Sequence, residues 1–341
     1  MDKINKKILF ITSDTSDYQS DSLFHGLRVL YGDNVVDYPK SDKMYKFNND
    51  NFSNLHGKGF TCYSLLDDIF VDRLNIFEKV KQNYFDIIIF SSIHRQFGFF
   101  VQFYPWLNFN NTVIVDGEDT PSFYKFCGNF WRQPSWFFLP KAHNKFLYFK
   151  RELNQESLDY LYYLLFPKWF LKFLKYPKFV RKINFSIPEE KIIKNLKIKT
   201  KLFARHIVDP EVSKNISNSA TSYVFDNEND YYNDLQISKF SVTTKRAGWD
   251  CIRHYEIAAN GAVMCFKDLD FKETTCAPHG LNDTNCIIYK NYDDLNFKIN
   301  NISSEEYEKL QTNSLKWVKD NTTKNVASNF IKIVQSELKL K

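Results

Sequence analysis

The chain reads as an α/β protein of two sheet-and-helix domains that face a cleft. Three observations lead there. Its 341 residues suit two domains of ordinary size. In the first half, short continuous apolar runs alternate with helical patterns, as strands buried on both faces of a parallel sheet do. After a stretch interrupted by Pro167, Pro177 and Pro188, the same alternation starts again near Thr200.

The elements follow in order. Ile8-Leu9-Phe10-Ile11 is a buried-strand pattern closed by a Ser/Asp cluster. Apolar residues at helical spacing follow over Ser22 to Leu30. Val35-Val36-Asp37-Tyr38 is a second strand, stopped by Pro39. Ile87-Ile88-Ile89-Phe90, Thr112-Val113-Ile114-Val115 and Phe146-Leu147-Tyr148-Phe149 are three more. In the second half the strand patterns are Lys201 to Ala204, Phe240 to Thr243, Ala262 to Phe266 and Cys286 to Tyr289, before a helical tail from Ser304. This divides the chain into a first Rossmann-like domain over 1–152, a basic aromatic helical connector over 153–200, a second domain over 201–320 and a C-terminal helix over 321–341.

Composition narrows the function classes. Hydrophobic residues at 43% and charged residues at 25% are globular usage, which excludes disordered, collagen-like and coiled-coil classes. No run approaches the roughly 20 apolar residues of a membrane span, and the first one is too short for a secretory leader. Six cysteines without a C-x-x-C pair read as free thiols of a reducing compartment, so a cytoplasmic location is expected. The net charge of +6 is uneven: Lys141 to Arg205 holds 16 Lys/Arg against 5 Asp/Glu, while both flanks are mildly acidic. Within it, residues 160–185 mix Lys and Arg with Trp, Phe and Tyr. That mixture suits an interdomain hairpin, or contact with an anionic membrane surface beside a lipid-linked acceptor; single-stranded nucleic acid suits it less.

The most informative run is Ser241 to Phe266, which reads strand, loop, helix, stop, strand. Asn260-Gly261 is a good helix end, because glycine takes the left-handed conformation at little cost. On a helical wheel Cys251, Ile252, Tyr255, Ala258 and Ala259 share an apolar arc, while Trp249, Asp250, Arg253, His254 and Glu256 share the polar one. Thr243, Thr244, Lys245 and Arg246 precede them. Hydroxyls, cations and free helix N-terminal N–H groups form a plausible diphosphate cradle without a glycine motif. An ordinary solvated face, with Arg253 and Glu256 paired at i, i+3, is the competing reading.

The run Gly248-Trp249-Asp250-Cys251-Ile252-Arg253-His254-Tyr255-Glu256-Ile257-Ala258-Ala259-Asn260-Gly261-Ala262 resembles the donor-binding helix of GT-B fold glycosyltransferases, particularly the exostosin-like and related groups. The tail Trp317 to Ala327 resembles their C-terminal helices, the last of which crosses back to the first domain. The resemblance is specific over about 25 residues and architectural over the rest. It implies a nucleotide-sugar donor, with Glu256 on the ribose and Lys245, Arg246 and Arg253 on phosphate or sugar. Met264 stands where the two-glutamate signature of many retaining members would need its second acid. Trp249 is expected to stack on the donor or to pack; Thr244, His254 and Arg205, which follows the strand at 201–204, complete the donor set.

For the catalytic base, Asp116 and Glu118 follow directly on the strand Thr112 to Val115, at the cleft end of the sheet. Thr12 to Asp17 is the rival location, with His25 and Arg28 on the next helix within reach. Asp268-Leu269-Asp270 has the D-x-D form of metal-dependent transferases but lacks their context, and the resemblance implies neither metal nor other cofactor. The expected activity is transfer of a sugar to a glycan or lipid-linked saccharide. The alternatives are a GT-B-shaped protein that binds a nucleotide or glycan without turnover, and a basic module acting on membranes or nucleic acid through 160–185.

Overall fold

A computed structural model describes residues 6–13, 15–46, 55–123, 145–157, 167–171 and 178–338. The first lobe is built on a parallel sheet of β1 (Ile8–Ile11), β2 (Val35–Tyr38), β3 (Ile87–Phe90), β4 (Thr112–Asp116), β5 (Leu147–Lys150) and β6 (Val180–Lys182), in the order β2-β1-β3-β4-β5-β6. Alternate residues of these strands serve opposite faces, as a pleated strand requires. Leu9, Ile11, Ile88, Phe90 and Ile114 pack with Ile76, Val80, Phe100 and Phe103 on one face. Ile8, Phe10, Val113, Val115 and Phe149 pack on the other against Leu23, Phe24 and Leu27 of helix α1 (Tyr18–Tyr31). The Asp17 carboxylate caps α1 by accepting from the amides of Gln19 and Ser20 at 3.0 and 3.1 Å. Strand order reverses between β1 and β3, so the crevice at their carboxyl ends is where this sheet offers a site.

The second lobe carries four parallel strands, β7 (Lys201–Phe203), β8 (Ser238–Thr243), β9 (Val263–Lys267) and β10 (Ile287–Tyr289), in sequential order. Between them run α2 (Glu228–Ile237) and α3 (Ile252–Ala259), followed by α4 (Tyr292–Asn301) and α5 (Ser304–Asp320). This sheet does not reverse its order, so its share of the cleft comes from the segment after β8, not from a switch point.

The chain then returns to the first lobe. Helix α6 (Thr323–Leu338) buries Ala327, Phe330, Ile331 and Val334. It lies against α1 so closely that a methyl group on Gly26 would stand 2.0 Å from the Thr323 carbonyl oxygen. The expected crossing of the last helix is therefore present. Neither His25 nor Arg28 lines the cleft: the His25 ring nitrogen Nδ1 is 2.9 Å from the Thr323 hydroxyl of α6, and Arg28 pairs with Asp37 of β2.

Among the described residues of 153–200, one segment is a strand. Val180–Lys182 is the sixth strand of the first sheet, and Ile183, Phe185 and Ile187 are buried behind it. Much of the basic aromatic stretch, 160–166 and 172–177, lies outside the described residues. Among those described, Trp169, Phe170 and Phe179 are exposed. No described helix is long and apolar enough to cross a membrane.

Candidate active site

Two adjoining cavities lie between the lobes. The larger, about 620 Å³, has Tyr18, Gly57 and Lys58 on the first-lobe side and Tyr223, Thr243, Arg246, Cys251, Arg253 and Glu256 on the second. The smaller, about 220 Å³, is lined by Asp17, Arg95, Glu118, Asp119 and Arg151 across from Arg246, Gly248 and Asp250. Tyr18, Arg246, Cys251 and Ile252 line both, so the two form one groove. The larger volume falls within the range of small-molecule sites.

Glu256 stands at the floor of the larger cavity and is only 5% exposed. One carboxylate oxygen accepts from the Thr61 hydroxyl and the other from the Tyr231 hydroxyl at 2.9 Å. Burial raises its pKa above the usual value; the two hydroxyls and Arg253 act in the opposite direction. One terminal nitrogen of Arg253 is buried with no hydrogen-bond partner among the described residues. Arg246 is exposed and lines both cavities. Cys251, at the N-cap of α3, lines both cavities, so this helix starts at the groove, and the His254 amide donates to the Cys251 carbonyl at 3.0 Å.

Other residues of the expected donor set stand elsewhere. His254 is fully buried with its ring 4.7 Å from Phe266, because α3 is packed on nearly all sides. Burial, then repulsion from Arg253 and Arg151, holds its pKa down at about 3. Trp249 packs on the core, 6.2 Å from Phe266, and Lys245 lies over its ring. The Thr244 hydroxyl turns back to the Lys245 carbonyl at 3.1 Å. Arg205 lines a separate cavity at the edge of the second sheet, with Asn215 and Tyr292. The polar arc of the wheel thus brings Asp250, Arg253 and Glu256 to the groove but misplaces His254 and Trp249, since a helix wedged between a sheet and another lobe has little free face.

Of the two acids after β4, Asp116 is withdrawn from any cleft chemistry. It is fully buried and bonded to Tyr148 and to the Lys150 ammonium at 3.0 Å, with His94 at 3.3 Å. Burial alone raises its pKa, but Lys150 and His94 outweigh that and keep it well below the ordinary carboxylate range. Such a carboxylate neither reaches an acceptor nor takes its proton. Glu118, one-third exposed, sits in the smaller cavity 3.9 Å from the Arg95 side chain. Asp17 shares that cavity and pairs with Arg95 at 3.3 Å.

Several site residues escape the sequence reading. Arg151 is buried over the Phe185 ring and donates to the Gly117 carbonyl at 2.9 Å and, across the lobes, to the Asp250 carbonyl at 2.9 Å. The neighbouring Glu152 carboxylate accepts from the amides of Trp249 and Asp250 at 3.0 and 3.2 Å. This pair fixes the loop before α3. Both residues directly follow β5, so the rule applied to Asp116 would have found them. Thr61 and Tyr231 carry no such signal. Asp268 and Asp270 lie outside both cavities, and among the described residues no three His, Cys, Asp or Glu side chains gather as metal ligands do.

Two parallel α/β lobes facing a groove, with a last helix returning to the first, define the GT-B architecture. Solved structures share it. HepE from Anabaena, in complex with UDP-glucose, is 10% identical with a TM-score of 0.53, covering 97% of this chain and 100% of its own. Sucrose-phosphate synthase from Thermosynechococcus elongatus is 10% identical with a TM-score of 0.54, over 98% and 99% of the two chains. A trehalose-6-phosphate synthase, studied for glycosyl transfer with retention, is 10% identical with a TM-score of 0.52, over 97% and 99%. No family model and no curated protein matches the sequence.

Proposed function

We propose that the chain is a glycosyltransferase that moves a sugar from a nucleotide donor to a glycan or lipid-linked saccharide. The observation that carries this reading is Glu256 buried at the floor of the larger cavity, with Arg253, Arg246 and the start of α3 along the same wall. A carboxylate suits the hydroxyls of a ribose. Two guanidinium groups and the positive end of a helix suit a diphosphate. The sugar then points through the shared stretch of groove into the smaller cavity, where Glu118 stands.

In the reaction the acceptor oxygen forms a bond to the anomeric carbon as the bond from that carbon to the diphosphate oxygen breaks. Charge builds on the departing diphosphate, and Arg246, Arg253 and the helix terminus stabilise it there. These groups supply the positive charge with no metal or other cofactor. In an inverting transfer Glu118 takes the acceptor proton, the role that the buried Asp116 does not fill. The acceptor is presented from the cytoplasmic face of a membrane, where exposed Trp169, Phe170, Lys178 and Phe179 would rest.

The test is turnover and donor affinity across a panel of nucleotide sugars. Glu256→Ala weakens donor binding by about 10- to 100-fold, the loss of charge-assisted hydrogen bonds. Unchanged donor affinity and unchanged turnover in that variant would overturn the assignment.

A further inference from the structure

The carboxylate of Glu256 borders the groove, but a strap of the first lobe holds one of its oxygens. The strap is Leu55 to Thr61, and it includes a short turn over His56–Gly59. Its last residue brings a hydroxyl to one Glu256 oxygen, and that same hydroxyl lies 2.8 Å from the Tyr232 hydroxyl. The Thr61 amide donates to the Glu228 carboxylate at 2.6 Å, and Lys58 donates to the Phe225 carbonyl at 2.8 Å and Asp226 at 2.7 Å. Every one of these partners belongs to the second lobe.

The strap's backbone is costly. Gly57, Lys58, Gly59 and Thr61 have φ of 56°, 56°, 73° and 75°. Glycine accepts such angles, but a β-branched threonine does so only under constraint from its surroundings. The contacts to Glu228, Glu256 and Tyr232 provide that constraint.

We propose that this strap is an autoinhibitory contact, with the Thr61 hydroxyl holding the place on Glu256 that a nucleotide's ribose hydroxyl takes. The inference rests on the reading of Glu256 as the ribose carboxylate. With one oxygen bonded to Tyr231, the other to Thr61 and only 5% exposure, the carboxylate cannot give a diol the position that Thr61 holds. The nucleotide therefore enters as the strap withdraws. Two ribose hydroxyls replace one threonine hydroxyl, and the strained Thr61 backbone relaxes as it leaves. The resting closed state lowers apparent affinity by the fraction of molecules that are open.

The experiment measures Kd for UDP, GDP and ADP by calorimetry on wild type, Thr61→Val, Thr61→Ser, Glu256→Gln and the Thr61→Val/Glu256→Gln double variant. For whichever nucleotide binds wild type, Thr61→Val binds it about three- to tenfold more tightly, the worth of one lost competing hydrogen bond. Thr61→Ser, which keeps the hydroxyl, stays near wild type, and in the Glu256→Gln background Thr61→Val brings no gain. Equal or weaker binding by Thr61→Val, while Glu256→Gln still loses affinity, overturns the strap and leaves the ribose reading standing. No binding of any of the three nucleotides by any variant overturns both. Hydrogen exchange on wild type serves if Thr61→Val does not fold: saturating nucleotide speeds exchange at residues 57–64, and slowed or unchanged exchange overturns the proposal.

Discussion

His254 shows what burial does to a single ionisable side chain. Its ring is inside the protein against Phe266, and its pKa is held at about 3. In the unfolded chain it regains an ordinary histidine value near 6.5. Between these two values the unfolded chain binds a proton that the folded one refuses, so stability falls as pH drops through this window and is fully present above it. Asp21 and Asp250 act in the opposite sense, since burial raises both to about 6 despite their cationic neighbours, and they favour the folded state at lower pH. A comparison between variants separates these contributions. His254→Leu keeps the volume and removes the titration. Relative to wild type it gains about 2 kcal/mol between pH 7 and pH 5, as the two pKa values require. Urea unfolding at the two pH values measures the gain, and parallel behaviour of the two proteins would mean that His254 titrates normally when folded.

At the scale of elements, the loop between β8 and α3 is set by a contact from the other lobe. A methyl group on Gly248 would lie 2.6 Å from a Glu152 carboxylate oxygen and 3.0 Å from Asp119. Glu152 has nowhere to retreat, because it is bonded to the amides of Trp249 and Asp250, to Arg151 and to the Cys276 thiol. Gly248→Ala therefore destabilises the protein by about 1–3 kcal/mol, the usual cost of overpacking, seen as a lower urea midpoint. An unchanged midpoint would show that Glu152 yields. The same loop marks how far the sequence was legible. Most strands of both sheets announce themselves as continuous apolar runs, since a strand buried on both faces needs apolar residues at every position, although the edge strand β7 is largely exposed. Only β6 is hidden, because Val180-Arg181-Lys182 is a short edge strand with one buried residue. Within the site, Glu256, Arg253 and Arg246 were legible because helix spacing and charge locate them. His254 was misread because amphipathic spacing reports one partner surface and α3 has several. Thr61 was invisible: a threonine in a loop gains its role only from a contact nearly two hundred residues away in sequence.

At the scale of the molecule, one continuous apolar core joins both lobes to the terminal helix. It runs from Ile8 and Phe10 through Tyr255 and Met264 to Trp317 and Phe330. The Phe330 ring lies 4.5 Å from Phe149 of β5, and α6 covers the face of α1 at Gly26. Helix α6 therefore completes the first lobe, although it follows the whole second lobe in sequence. Its buried Phe330, Ile331 and Val334 each contribute about 1.5–3 kcal/mol by leaving water. Their sum is comparable to the 5–15 kcal/mol that typically separates a folded domain from its unfolded chain. Removal also exposes Leu23, Leu27 and Phe149, which α6 and its neighbours keep dry. A chain ending before Thr323 is thus expected to lose the folded first lobe altogether and to destabilise the second, whose inner face shares that core while Phe240, Val242, Val263 and Leu295 form one of its own. Circular dichroism and calorimetry on the shortened chain are the checks. A sharp transition at the full-length melting temperature would show that α6 is an accessory and that the lobes stand without it.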